Sequence, residues 1–312
     1  QISESAQTLG SAVVFESAAS SPIKSTFDSN SNRIVIIYRD GGNGNFGTAI
    51  VGTIDSSDNS ISFGTPVVFS PTGGAGLGVE LAVTFDSNSN KVVVAYVDGA
   101  ASDIGKAIVG TVDSSDNSIS FGTAVTFENA NITSSETIGL VFDSNSNKVV
   151  ISYRDNGNSQ YGTAIVGTVS GTDISFGSPV VFLSATNSFI ASTFDSTNNK
   201  VIIAYKDGGN SNNGTAIVGT VSGTGISFGS AATFDTSTST DSITATFDSS
   251  NNKVFLAYQD GGNSNYGTAV IGTVSGTSIS FGSEVVYNSG NSVSKDATFD
   301  TNNNKVVLVF LD

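Results

Sequence analysis

With 312 residues and no Cys, Met, Trp or His, the chain cannot build a disulfide framework, a thiolate zinc site, a His-based triad or a His metal site. A net charge of −15 and a pI near 4.1 repel phosphate backbones and anionic lipid, which excludes nucleic acid and membrane surfaces as natural partners. Charged residues are only 12%, so Ser, Thr, Asn and Gly must wet the surface, as expected of an extracellular or virion-surface protein.

No run of eighteen apolar residues predicts a membrane-spanning helix, and nothing implies a cofactor. Gln1 is not a translation start, so an upstream segment, such as a cleaved secretion signal, is expected. The first predicted element is Leu9-Gly10-Ser11-Ala12-Val13-Val14-Phe15. It matches Phe176-Gly177-Ser178-Pro179-Val180-Val181-Phe182, which closes a later repeat.

From there a phrase recurs six times: Phe-Asp, a polar turn, an apolar run, an aromatic. Its Phe stands at Phe27, Phe85, Phe142, Phe194, Phe247 and Phe299, spaced by 58, 57, 52, 53 and 52 residues, and the repeats start near 23, 81, 138, 190, 243 and 295. The fifth repeat shows the elements. Ser242 to Phe247 alternates polar and apolar residues as a half-buried strand does. After a turn at 249–252, Val254-Phe255-Leu256-Ala257-Tyr258 is continuously apolar, which predicts a strand covered on both faces. A Gly/Asn loop leads to a third strand, Thr268 to Val274, and a tight turn opens a fourth from Ile279 to Tyr287.

Four strands per repeat, six times over, predict an all-β protein: a six-bladed β-propeller of four-stranded antiparallel blades in one domain, 1–312. An open solenoid is the alternative. The mid-strand glycines Gly52, Gly110, Gly167, Gly219 and Gly272 are expected where neighbouring blades approach closely. The chain finishes on Val306-Val307-Leu308-Val309-Phe310, the second strand of a sixth repeat. The N-terminal strand would then join the C-terminal blade and close the ring. That blade has no evident third strand, so residues 1–7 or another chain would supply it, the latter through an edge open to self-assembly.

Two loops repeat. The turn Asp28-Ser29-Asn30-Ser31-Asn32-Arg33 recurs at Asp86, Asp143, Asp195, Asp248 and Asp300, and six of the twelve cations stand at its exit. It lacks the glycine and terminal acid of a calcium loop, so a hairpin with an Asp–cation pair is expected rather than a metal. The loop after the second strand reads Arg39-Asp40 with Asn43 and Phe46, then Arg154-Asp155 with Asn158 and Tyr161, Lys206-Asp207, and Gln259-Asp260 with Tyr266. A cation or amide, a carboxylate, amides and an aromatic face are the groups that hold a sugar. The competing reading is that Asp caps its turn and the aromatic packs.

Links between repeats differ most: 70–80, 128–139, 183–189, 235–241 and 288–295. They should share a face with those loops, and variable loops on a rigid scaffold carry function. A glycosidase would need two opposed carboxylates, yet glutamates are few and the aspartates are mostly turn residues, so no catalytic residue is assigned. Sequons at Asn131 and Asn213 allow glycosylation in a host that performs it.

The run Phe142 to Asp155, continued by Tyr161-Gly162-Thr163-Ala164-Ile165-Val166-Gly167-Thr168-Val169, resembles tandem repeats of structural proteins from aquatic phages and microbial surfaces. The layout is also similar to six-bladed fucose-binding fungal lectins, whose second strand carries a sugar-binding arginine. The resemblance implies that role near Arg39 and Arg154. Those lectins also use Trp, and a Glu on the next strand, where this chain has Thr, Ala, Ile and Val, so their sugar specificity does not carry over. The expectation is a non-enzymatic attachment propeller binding an environmental or cell-surface glycan. A structural subunit of a filament or capsid is the alternative, and a glycoside hydrolase a distant third.

Overall fold

The computed structural model describes residues 10–71, 77–132 and 138–311, without the side chains of 77–79. The chain is all-β, built from several antiparallel sheets as β-propellers are. It divides into two compact lobes, 1–129 with 169–175 and 130–168 with 176–312.

The first lobe carries repeats one and two. In repeat one, Ser20–Asp28, Arg33–Asp40 and Phe46–Asp55 pair in sequence, and the third strand then takes both Ser60–Phe63 and Val67–Ser70. The second lobe carries repeats three to five, apart from 169–175 of repeat three, and the hairpin Val293–Asp300 with Lys305–Leu311. In repeat five the strands are Thr240–Asp248, Lys253–Asp260, Tyr266–Ser275, Ser278–Phe281 and Val285–Asn291. Among the described residues no helix is long and apolar enough to cross a membrane.

Second strands are buried on both faces: Val92 to Val97 and Val201 to Tyr205 are at most 2% exposed. That is why they read as unbroken apolar runs. The expected single fourth strand is two strands, because the Phe-Gly step between them turns the chain aside. Gly229 and Gly282 still donate their N–H to Val218 and Ile271 at 3.0 Å, and the two halves pair with opposite ends of the third strand. The expected link loop at 183–189 is also corrected. Val180–Asp195 is one strand through it, for no Gly or Pro interrupts those seven residues.

The mid-strand glycines do not receive a neighbouring sheet. A Cβ at Gly52, Gly110, Gly219 or Gly272 would press on the Ile and Phe of its own fourth strand, Ile61 and Phe63 in the first case. Close approach between repeats occurs at the Phe-Gly glycine instead. Side chains on Gly64, Gly177 and Gly229 would overlap the backbone carbonyls of Asn117, Thr224 and Thr277 in the next repeat's hairpin.

Repeats also join through rings. Phe234 at the end of repeat four packs on Tyr258 and Phe281 of repeat five, with centroids 5.1 and 5.6 Å away. Phe69 packs likewise on Tyr96 and Phe121, and Phe182 on Tyr205 and Phe228. The segment at 10–15 is not a strand, contrary to expectation, yet it holds fourth-strand contacts. Phe15 sits on Tyr38 and Phe63, and a Cβ at Gly10 would meet the Asn59 carbonyl. Among the described residues no third strand pairs with it, and Val13 and Val14 stand exposed.

All six Phe-Asp turns are capped by their own Asp. Asp28 Oδ1 accepts from the N–H groups of Asn30 and Ser31, Asp248 Oδ1 from Ser250 and Asn251, and Asn32 to Asn304 take φ near +55°. Among the described residues the expected Asp–cation pair does not form. The carboxylate curls into its turn, while Arg33 leaves toward repeat two and donates to Asn117 Oδ1 at 2.6 Å, and Lys253 donates to Thr273.

A second turn type offers a clean titration. Ser57 donates its hydroxyl and its N–H to Asp55 Oδ1, which holds that carboxyl below its usual range. Because the folded value is depressed, the interaction stabilises above the unfolded pKa and is lost as pH falls through the folded one. Ser57→Ala is expected to move the Asp55 midpoint upward in a carboxyl-carbon NMR titration, leaving Asp113, which Ser115 holds down in the same way, unmoved.

Candidate binding site

The loop after each second strand and the links between repeats are hydrogen-bonded together, which puts them at one end of their lobe. Gly208 donates to Thr186 O at 2.9 Å and Gly261 to Ser239 O at 2.8 Å, while Ser292 donates to Asn265 O at 3.2 Å. Gly41 reaches back to Ala19 O in the same way.

Within these loops the aspartates serve the backbone. Asp40 Oδ1 accepts from the N–H groups of Gly42 and Asn43, Asp155 Oδ1 from Asn158, Asp207 Oδ1 from Gly209, and Asp260 Oδ1 from Gly262 and Asn263. All four are at most 9% exposed. Asp207 is pushed above its usual range by burial, against the pull of its backbone N–H partners. In repeat two Asp98 Oδ1 likewise accepts from the Ala100 N–H, and its other oxygen meets Lys106 Nζ at 2.6 Å.

The position before each Asp divides the repeats. Lys206 Nζ donates to Asp241 Oδ1 at 2.6 Å and Ser239 Oγ at 3.0 Å, and lies 5.6 Å from the centre of the Phe189 ring. Phe189 is aimed there by a bulge between Ser188 and Ala191, where it takes φ +52°. Gln259 Nε2 donates to Asn291 Oδ1 at 2.6 Å. Both side chains are thus tied to the following link.

Arg39 is half-buried and makes no hydrogen bond or ion pair among the described residues. Asn43, exposed, and Phe46, half-buried, stand in the same loop. Arg154 is half-buried too, with burial lowering its pKa, and keeps the exposed Asn158 and half-buried Tyr161 in its loop. In the Arg39 loop, a guanidinium with free forked donors, an amide and a ring edge can grip vicinal hydroxyls and cover a C–H face.

The residues that sequence reasoning passed over are Ser239, Asp241 and Asn291, which occupy the Lys206 and Gln259 side chains, and Phe189. Asp241 carried one signal: an acid closing a link that is Ser and Thr from 236 to 240. Asn187 is a further omission, 2% exposed with neither amide atom hydrogen-bonded and its Nδ2 against Gly162, across the sheet from Arg154. Of the sequons, Asn131 is exposed at a strand end while Thr133 lies outside the described residues, and Asn213 is half-buried where a third strand starts.

Repeated antiparallel sheets with a loop-rich end define the class of fold. No protein-family model matches the chain, and no curated protein does. Among solved structures it is similar to a mutant of AofleA from Arthrobotrys oligospora, at 9% identity and a TM-score of 0.59, over 92% of this chain and 77% of that one. It is also similar to a mutant Aleuria aurantia lectin in complex with Fucalpha1-6GlcNAc, at 13% identity and a TM-score of 0.53, over 93% and 87%. A leech intramolecular trans-sialidase follows at 8% identity and a TM-score of 0.62, over 99% and 67%. At such identities the likeness is one of fold.

Proposed function

We propose that this chain is a carbohydrate-binding β-propeller that acts in attachment without turnover, displayed outside a cell or on a virion. In this reading the six repeats form one six-bladed ring over 1–312, and the N-terminal segment joins the C-terminal blade. The phage-like and microbial-surface repeats it resembles would share that location, and the Aleuria aurantia lectin in complex with Fucalpha1-6GlcNAc, similar in fold, favours a glycan ligand.

One observation carries the assignment. Of the cationic or amide positions beside the loop Asp, those of repeats four and five are satisfied by Asp241 and Asn291, whereas Arg39 keeps its donors. A sugar at Lys206 would have to displace a charged hydrogen bond. At Arg39 it displaces only water, so Arg39 is the leading ligand-contacting residue, with Asn43 and Phe46 around it, and Arg154 with Asn158 and Tyr161 occupies the equivalent place in repeat three.

A glycan array probed with the wild-type chain and four variants tests this. Losing a charge-assisted hydrogen bond worth roughly 1.5–3 kcal/mol weakens binding about ten-fold or more, which is the result expected for Arg39→Ala and Arg154→Ala. Lys206→Ala should bind as the wild type does. Undiminished binding by the double arginine variant defeats the site, and native filaments without glycan binding favour the structural-subunit reading instead.

A further inference from the structure

Repeats four and five show what the position before the loop Asp requires of its partner. Lys206, a cation, receives a carboxylate: Asp241 Oδ1 lies 2.6 Å from its Nζ. Gln259, an uncharged amide, donates to another amide, Asn291 Oδ1, also at 2.6 Å. Both partners come from the link that follows the repeat, so each link matches the charge of the side chain it meets. Repeat two places Val97 there, fully buried and without polar demands.

Repeat one breaks this matching. Arg39 brings a cation, yet the link after it, 71–79, reads Pro-Thr-Gly-Gly-Ala-Gly-Leu-Gly-Val. With no acid and no side-chain amide, that link can hand Arg39 no carboxylate in any conformation. The residue in the register of Asp241 is Gly78, since Leu77 pairs with Asp98 as Thr240 pairs with Asp260. Nearby acids are held by backbone: Asp40 Oδ1 accepts from the N–H groups of Gly42 and Asn43, and Glu16 Oε1 from that of Ala18 at 2.7 Å. Glu80, which follows the link, is 5% exposed. Among the described residues the ion pairs are Lys106–Asp98 and Lys206–Asp241, and none involves Arg39.

We propose that the Arg39 site selects an acidic sugar: the carboxylate of a uronic or sialic acid takes at Arg39 the place that Asp241 fills at Lys206. The inference rests on the carbohydrate reading above and names the class of glycan. A planar carboxylate accepts two parallel N–H groups from a guanidinium, a fit that a neutral hydroxyl pair does not reach in strength. Asn43 and Phe46 remain for the hydroxyls and C–H face of the ring. The net charge of −15 limits the length of the ligand rather than its sign. At physiological salt, charges farther than roughly 8 Å are screened, so one carboxylate at Arg39 is governed by the guanidinium. A long polyuronate would lay its further charges over an acidic surface. The ligand is therefore a glycan with an isolated acidic residue.

The test is calorimetry on the 312-residue chain with sialyllactose, a glucuronyl disaccharide and a galacturonyl disaccharide, each beside its carboxyl methyl ester. Lactose and a sulfated galactose complete the probes. At least one acid should bind about ten-fold or more tightly than its ester, and Arg39→Gln should erase that ratio. Gly78→Asp supplies the missing carboxylate from within the chain and should bring the acid down to the level of its ester. Should that variant fail to fold, Arg39→Gln carries the test alone. Esters bound as well as acids, a ratio that Arg39→Gln leaves intact, or binding confined to neutral glycans overturns the acidic class and leaves the carbohydrate reading standing. A sulfated sugar bound more tightly than every carboxylate overturns the choice of carboxylate. No binding of any glycan, acidic or neutral, removes the carbohydrate reading and this inference with it.

Discussion

Truncating Phe234 to alanine is expected to lower stability by about 3–5 kcal/mol, the loss typical of a large ring removed from a packed core. Phe234 is 5% exposed and lies over Gly214, where an added Cβ would overlap it. Its ring meets Tyr258 and Phe281, so one side chain joins repeats four and five. The neighbouring core of Val218, Ile243, Val254 and Leu256 belongs to two sheets, and the cavity cannot be closed by moving one of them alone. Urea unfolding followed by tyrosine fluorescence reads the midpoint. Phe310→Ala is the comparison. Phe310 also stacks on a preceding ring, Tyr287, but is 38% exposed, and its loss should cost about 1–2 kcal/mol. Equal effects would mean the ring ladder does not hold the repeats together.

Gly229→Ala should do comparable damage through one methyl group. The new Cβ would overlap the carbonyl oxygen of Thr277 in the next repeat's hairpin. That neighbour is backbone, so it cannot rotate away as a side chain would. The Gly229 N–H is bonded to Val218 O, which keeps the strand from yielding on its side. A loss of about 3 kcal/mol or more is expected, at the upper end of overpacking costs. Gly223→Ala separates crowding from conformation. Gly223 has φ +61° with open space around it, so alanine there costs only the left-handed penalty of about 1–2 kcal/mol. Thermal melts of the two variants rank the effects, and a reversed order would contradict the assigned repeat contact.

Much of this architecture was legible because it is local. The Asp-x-Asn turns close on their own backbone within six residues, so their composition announces them. The second strands show their burial as unbroken runs of Val, Ile and Ala. The fourth strand was harder. The Phe-Gly step reads as part of a strand in one repeat, and its division in two depends on a third strand long enough to accept both halves. The glycines failed for a related reason. Both families sit in strand patterns, but whether a glycine faces its own sheet or the next repeat's hairpin depends on the stacking, which no single repeat encodes.

The candidate site divides the same way. Residue types alone marked Arg39, Arg154, Lys206 and Gln259 as equivalents after their second strands, since a repeated phrase puts them at one place in the strand. Which of these side chains is tied to a neighbour was decided by the following link, about thirty residues away in sequence. Lys206 meets Asp241 there, while in the repeat after Arg39 the residue at the Asp241 place is Gly78, matched by Leu77 pairing with Asp98 as Thr240 pairs with Asp260. Strand and turn follow from neighbours along the chain. The freedom of a guanidinium follows from what another repeat brings against it.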